Sequence, residues 1–131
     1  MKVKFLLVVL CFVTIFSCSK NESNTEFDGT WTLIETTGGL TGQGLSTDWN
    51  KVTIEENQCI FFKDATKLTT ADLSFTTSEL CKSVKLIFNN TGTNVIDIRS
   101  DNIKCISISA DKLEWKSDCC DRYDYIFTKV K

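Results

Sequence analysis

Seven cysteines and no histidine define the side-chain chemistry open to this 131-residue chain. Without imidazole it lacks the commonest general base and the commonest metal ligand. A cysteine nucleophile needs a base or a cationic neighbour to form its thiolate, and no such activator stands at a suggestive spacing. Zinc is equally unsupported, because no Cys-x-x-Cys pair occurs. Asp118, Asp121 and Asp124 recur every third residue beside Cys119 and Cys120. A calcium loop alternates its acids differently and needs a glycine turn, so this run reads as a solvated acidic turn. Gly39 to Ser46 has the outline of a phosphate loop, yet Leu45 stands where the lysine belongs. Without that charge the phosphates lose their main partner, and the segment reads as a loop between strands. No acid, base and nucleophile come together, so the expectation is a protein that is not an enzyme and holds no metal or cofactor.

Position along the chain sorts the cysteines. Lys2 and Lys4 precede an apolar run from Phe5 to Phe16, which ends in Ser17 and Cys18. A basic start, an apolar middle and a small residue before a cut are the parts of a secretory signal. The apolar run is about a dozen residues, short of the about 20 that a spanning helix needs. No Ala-x-Ala site is present. Ser17-Cys18, followed by the polar stretch Ser19 to Asn24, resembles the lipobox of a bacterial lipoprotein. That resemblance implies cleavage before Cys18 and lipid, palmitate included, on Cys18. Residues 1–17 are then the signal peptide and residues 18–26 a lipidated cysteine with a polar tether. The chain is expected on a bacterial envelope membrane, the outer membrane foremost. Several acyl chains hold a protein to a bilayer stably, where one holds it only marginally.

Cys11 leaves with the signal peptide and Cys18 takes the lipid, which leaves Cys59, Cys81, Cys105, Cys119 and Cys120. Outside the cytoplasm disulfides persist, and five thiols allow two bridges at most. Adjacent Cys119 and Cys120 rarely bridge each other, because the bond geometry is strained. The expectation is at least one bridge, with one or both of this pair joined to Cys59, Cys81 or Cys105. The alternative is a set of buried thiols acting as small hydrophobes.

Removing residues 1–17 leaves 114 residues, one small domain. The remainder carries 13 basic and 17 acidic residues, a formal net charge of −4, with no basic run. Nucleic acid is excluded as a partner on that ground, since phosphate binding needs concentrated positive charge.

From Phe27 onward, short β-branched and aromatic runs alternate with turn residues, the pattern of strands. Gly29 to Thr36 carries Trp31 and Leu33 in alternation. A glycine-rich loop, Gly38 to Gly44, ends near Trp49. Lys51 to Glu55, Gln58 to Lys63, Leu68 to Thr77 and the Val84-Leu86-Phe88 stripe follow. Asn89 to Gly92 has hairpin chemistry, because Asn and Gly tolerate positive φ. Val95 to Arg99, Lys104 to Ser109, Leu113 to Trp115 and Tyr123 to Val130 complete eight or nine strands. The stretch from Thr77 to Ser83 suits at most one helical turn. Zero prolines fits continuous strands joined by tight turns. Short connections favour an antiparallel up-and-down meander. Closing it into a barrel removes the exposed edges that an open sheet of this size would have. The domain therefore spans residues 27–131.

Gly29-Thr30-Trp31-Thr32-Leu33, the glycine-rich loop and the ending Tyr123-Asp124-Tyr125-Ile126-Phe127 resemble the lipocalin-like (calycin) group, most closely small lipocalin-like lipoproteins of Bacteroidota. The resemblance implies a small barrel closed at one end by Trp31, under a basic residue near the last strand, Lys129 or Arg122. For the group as a whole the resemblance supplies a fold rather than a ligand; the first functional reading is a barrel that holds a small apolar or amphipathic ligand at the opposite, open end. Trp49, Gly39, Gly42 and Gly44 are the residues expected to meet it. Most of the aromatic residues, Trp31, Phe61, Phe75, Phe88, Trp115, Tyr125 and Phe127 among them, are expected to fill the core, because a barrel this small is just wide enough for side chains or one small ligand. A structural or interaction lipoprotein contacting another envelope protein is the competing reading.

Overall fold

In the computed structural model, residues 24–42, 44–89, 95–117 and 122–131 are described. The signal peptide, Cys18, the tether up to residue 23, Asn90 to Gly92 of the expected hairpin, Asp118, Cys119, Cys120 and Asp121 lie outside them.

Eight strands run Gly29–Gly38 (β1), Lys51–Glu55 (β2), Gln58–Lys63 (β3), Thr66–Thr77 (β4), Lys82–Phe88 (β5), Ile103–Ser109 (β6), Lys112–Lys116 (β7) and Tyr123–Lys129 (β8). Each pairs antiparallel with its neighbour in sequence, and β8 returns to β1, so the sheet is a closed up-and-down barrel. Alternation dictates the wall: Val52 and Ile54 on β2, Cys59 and Phe61 on β3, and Leu113 and Trp115 on β7 point inward and are buried. A β-bulge at Ile34 lets β1 bend over the barrel while keeping its pairing with β8. The two-residue turns after β2, β3 and β6 begin with Glu56, Asp64 and Ala110 at φ of 55°, 53° and 52°. Positive φ at that position matches the right-handed twist of the strands it joins.

The expected strand Val95 to Arg99 is instead a short helix, Ile96–Ser100 (α1), with Arg99 N donating to Val95 O at 3.0 Å. The reason lies in the sheet. β5 pairs directly with β6 through Ser83–Cys105, Val84–Lys104 and Lys85–Ile103, so no strand fits between them. Val95 and Ile98, three residues apart on one helical face, are both fully buried against the core. The segment between Thr77 and Lys82 is a hairpin turn rather than a helical one, held by Ser78 N donating to Cys81 O. Phe62, next to inward Phe61, faces outward beneath Lys51.

Candidate functional site

The barrel has two ends of different construction. At the lower end a 3-10 turn, Thr25–Phe27, closes the floor. Trp31 is fully buried and its indole N–H donates to Phe27 O at 2.9 Å. The Lys129 ammonium lies 5.1 Å from the Trp31 ring centroid, and Arg122 is engaged elsewhere. Phe27 stacks on Phe75 at 5.6 Å, and Lys82 lies over Phe27 while pairing with Glu26. Beside this floor an open depression is lined by Asp28, Glu55, Glu56, Asn57 and Gln58.

Trp49 lies at the upper end, as expected, and is more deeply buried there than a residue of an open mouth, with the ring fully covered. Its ring meets Phe61 edge-on at 5.1 Å, Tyr125 at 5.4 Å and Phe127 at 6.0 Å. Phe127 in turn meets Trp115 at 4.9 Å, so the rings form one chain of contacts through the interior. The indole N–H of Trp49 and the hydroxyl of Tyr125 both donate to the Asp97 carboxylate of α1, at 3.2 Å and 3.0 Å. Burial, followed by the charge and hydrogen bond of Asp97, pushes the Tyr125 phenol above its ordinary range. Together with buried Val95 and Ile98, this contact seats α1 as a plug.

A second polar cluster joins α1 to the last three strands. The Asp101 carboxylate accepts from Lys104, from Ser117 Oγ at 2.7 Å and from Arg122. Lys104, 1 % exposed, also donates to Ser117 Oγ at 2.6 Å and to Tyr123 O at 2.9 Å. Asp124 accepts from Ser117 N at 2.8 Å. Burial works against the charge on Asp101, but the hydrogen bonds from Lys104, Ser117 and Arg122 outweigh it and hold the carboxyl below its usual value. Burial pulls Lys104 down as well, against Asp101. With all three ammonium protons donated, the geometry holds the charged form. A serine beside a buried lysine invites comparison with a nucleophile and its base. Here the serine hydroxyl has two acceptors, Asp101 Oδ2 at 2.7 Å and Tyr123 O at 3.2 Å, and the ammonium has no lone pair to offer, so the cluster is a clamp. Its members are Asp101 just after α1, Lys104 on β6, and Ser117 and Arg122 at the two ends of the β7–β8 connection, and no sequence spacing marks them.

The glycines expected to meet a ligand serve the loop itself. A Cβ on Gly39 would lie 2.9 Å from the Tyr123 ring, and one on Gly44 would lie 2.0 Å from Thr36 O. Both residues have positive φ, and close approach to the wall accounts for them. Gly42 faces open space. Leu45 is pinned to the same strand, its N–H and carbonyl both bonded to Thr36 Oγ1. Between this loop and the bulge, a recess of about 250 Å³ opens to solvent, with Leu33, Ile34, Thr36, Leu45 and Trp49 among its lining.

Among the described residues one disulfide is formed, between Cys81 and Cys105. Bridging is as expected, but the pairing is not: two of the three candidate partners of Cys119 and Cys120 are joined to each other. The third, Cys59, is a buried free thiol whose pKa burial drives well above the ordinary range. The bridge spans the β5–β6 seam, which holds three register pairs against seven between β4 and β5. Among the described residues, no group of three or more Cys, Asp or Glu is placed to hold a metal ion, and no helix is long and apolar enough to cross a membrane. No protein-family model, curated protein or solved structure matches this chain.

Proposed function

We propose that this chain is a lipid-tethered barrel of a bacterial envelope that acts as a structural or interaction module through its outer surface, in the manner of a lipocalin-like lipoprotein. The observation that carries this reading is the packed axis. Trp49, Phe61, Trp115, Tyr125 and Phe127 are each at most 1 % exposed and in mutual ring contact, so the space in which a barrel of this size would hold a ligand is taken by side chains. Support for the tether is the leader ending in Ser17-Cys18. Support for a compartment outside the cytoplasm is the disulfide, which reducing surroundings would not maintain. The Trp31–Lys129 contact at the closed end supports the lipocalin-like resemblance.

Native mass spectrometry of the envelope-extracted protein tests the reading. The expected mass is that of residues 18–131 with lipid and no further molecule. A stoichiometric small apolar or amphipathic molecule retained on the chain would overturn it in favour of ligand binding, with the recess beside Trp49 as the place to look.

A further inference from the structure

We infer that the barrel stands with its lower end on the membrane, Leu80 in contact with the lipid surface, and its upper end turned away. This rests on the tether reading above. From Cys18 to Asn24 the chain has six Cα steps, a reach of at most about 20 Å. Asn24 is itself held in place: it is 8 % exposed and accepts from Phe27 N at 3.3 Å, and Phe27 is buried in the floor. Lipid on Cys18 therefore keeps the 3-10 turn within that distance of the headgroups. β1 leaves this turn and climbs for nine residue steps, about 30 Å of strand or about 23 Å of height at the usual barrel tilt. The loop beyond Gly38 and α1 lie at the far end of that climb.

The β4–β5 turn is tied to the tethered end. Lys82, its first residue on β5, pairs with Glu26, and its ammonium sits 5.3 Å from the Phe27 ring centroid. Leu80, at the tip of this turn, is 96 % exposed. A single exposed leucine is ordinary on a soluble surface, and Leu40, 90 % exposed at the opposite end, is one. Leu80 differs by standing beside the point where the tether enters. Val130, half exposed between Lys129 and Lys131, belongs to the same end. The Lys82 ammonium is taken up by Glu26 and the Phe27 ring, and exposed Glu79 precedes Leu80, so it is the apolar tip alone that suits the headgroup boundary. The acids Asp28, Glu55 and Glu56 gather on the β2–β3 side around the open depression. The β4–β5 side carries Glu79 and the Glu26–Lys82 pair, a smaller negative charge, so an anionic lipid surface repels it less and the barrel leans that way.

The test places the photoreactive residue p-benzoylphenylalanine at position 80, and separately at position 40, in the full chain on intact envelopes. Cells are fed a fatty-acid label, irradiated, and the purified chain is read by mass spectrometry. The expected result is a phospholipid adduct at position 80 and none at position 40. A labelled chain with the adduct at 40, at both positions alike or at neither overturns the orientation and leaves the tether standing. A chain without fatty-acid label overturns the tether reading, and the orientation falls with it.

Discussion

Lys129 lies over the face of Trp31, its ammonium 5.1 Å from the ring centroid, at the floor of the barrel. The two contribute very differently. Truncating a fully buried tryptophan costs about 3–5 kcal/mol, a large part of the stability of a small domain. An exposed cation over a ring is worth about 0.5–1 kcal/mol. Circular dichroism melts should find Trp31→Ala largely unfolded and Lys129→Gln only slightly destabilised. A Trp31→Ala protein melting like wild type would remove the floor assignment.

Trp49 belongs to the same class as Trp31. Trp49→Ala should unfold the domain, because the ring fills the axis between Phe61 and Phe127. Trp49→Phe keeps most of the volume and loses the hydrogen bond to Asp97, and hydrogen bonds to charged groups are worth about 1.5–3 kcal/mol. Asp97→Asn should lose a comparable amount. A double-mutant cycle by urea unfolding should show the pair non-additive; strict additivity would mean the bond does not hold α1 in place.

Breaking the Cys81–Cys105 bridge releases a loop of 24 residues in the unfolded chain. Loop entropy puts the loss at about 3 kcal/mol, so Cys81→Ser with Cys105→Ser should lower the urea midpoint markedly and leave the fold intact. In the native protein Cys59 should stay silent to a thiol reagent until denaturant is added, since the group is buried and its thiolate disfavoured. Rapid labelling of Cys59 in the native protein would contradict the packing of β3.

Asp101 gives the fold an acid-sensitive contribution. Its carboxyl is held below the value it has in the unfolded chain, so near pH 4 the unfolded state binds more protons than the folded one. The stabilisation is complete above the ordinary carboxylate pKa of about 4. It is lost as pH falls through the lower folded value. Urea midpoints measured at pH 7 and pH 3 should converge for wild type and Asp101→Asn on acidification, with the variant weaker at pH 7. An equal gap at both pH values would mean that Asp101 does not titrate with the fold.

The expected disulfide and the expected plug illustrate where local pattern stops. Bridging follows from cysteine number and compartment, but the choice of Cys81 with Cys105 follows from register. Ser83 lies opposite Cys105, which brings the residue two before Ser83 across the seam. Val95 to Arg99 carries β-branched residues at strand-like spacing, and only the direct β5–β6 pairing turns it into a helix. The Asp101–Lys104–Ser117–Arg122 clamp leaves no trace at any one place in the chain.

What the amino-acid order determined unaided was the class of fold, the number of strands to within one, and the faces of most of them. Period-two alternation and turn chemistry are local properties, and a closed meander is the solution that leaves no edge. Trp31 was readable for the same reason: it follows Gly29 at the start of the first strand, and closure puts Lys129 beside it. Trp49 was not. It sits after a glycine-rich loop with no alternation around it, and nothing local distinguishes a ring at a mouth from a ring folded inward. Its place was decided by the loop's return across Thr36 and by Asp97, 48 residues away, accepting its N–H. Closing the barrel creates such neighbours, and a linear pattern carries no record of them.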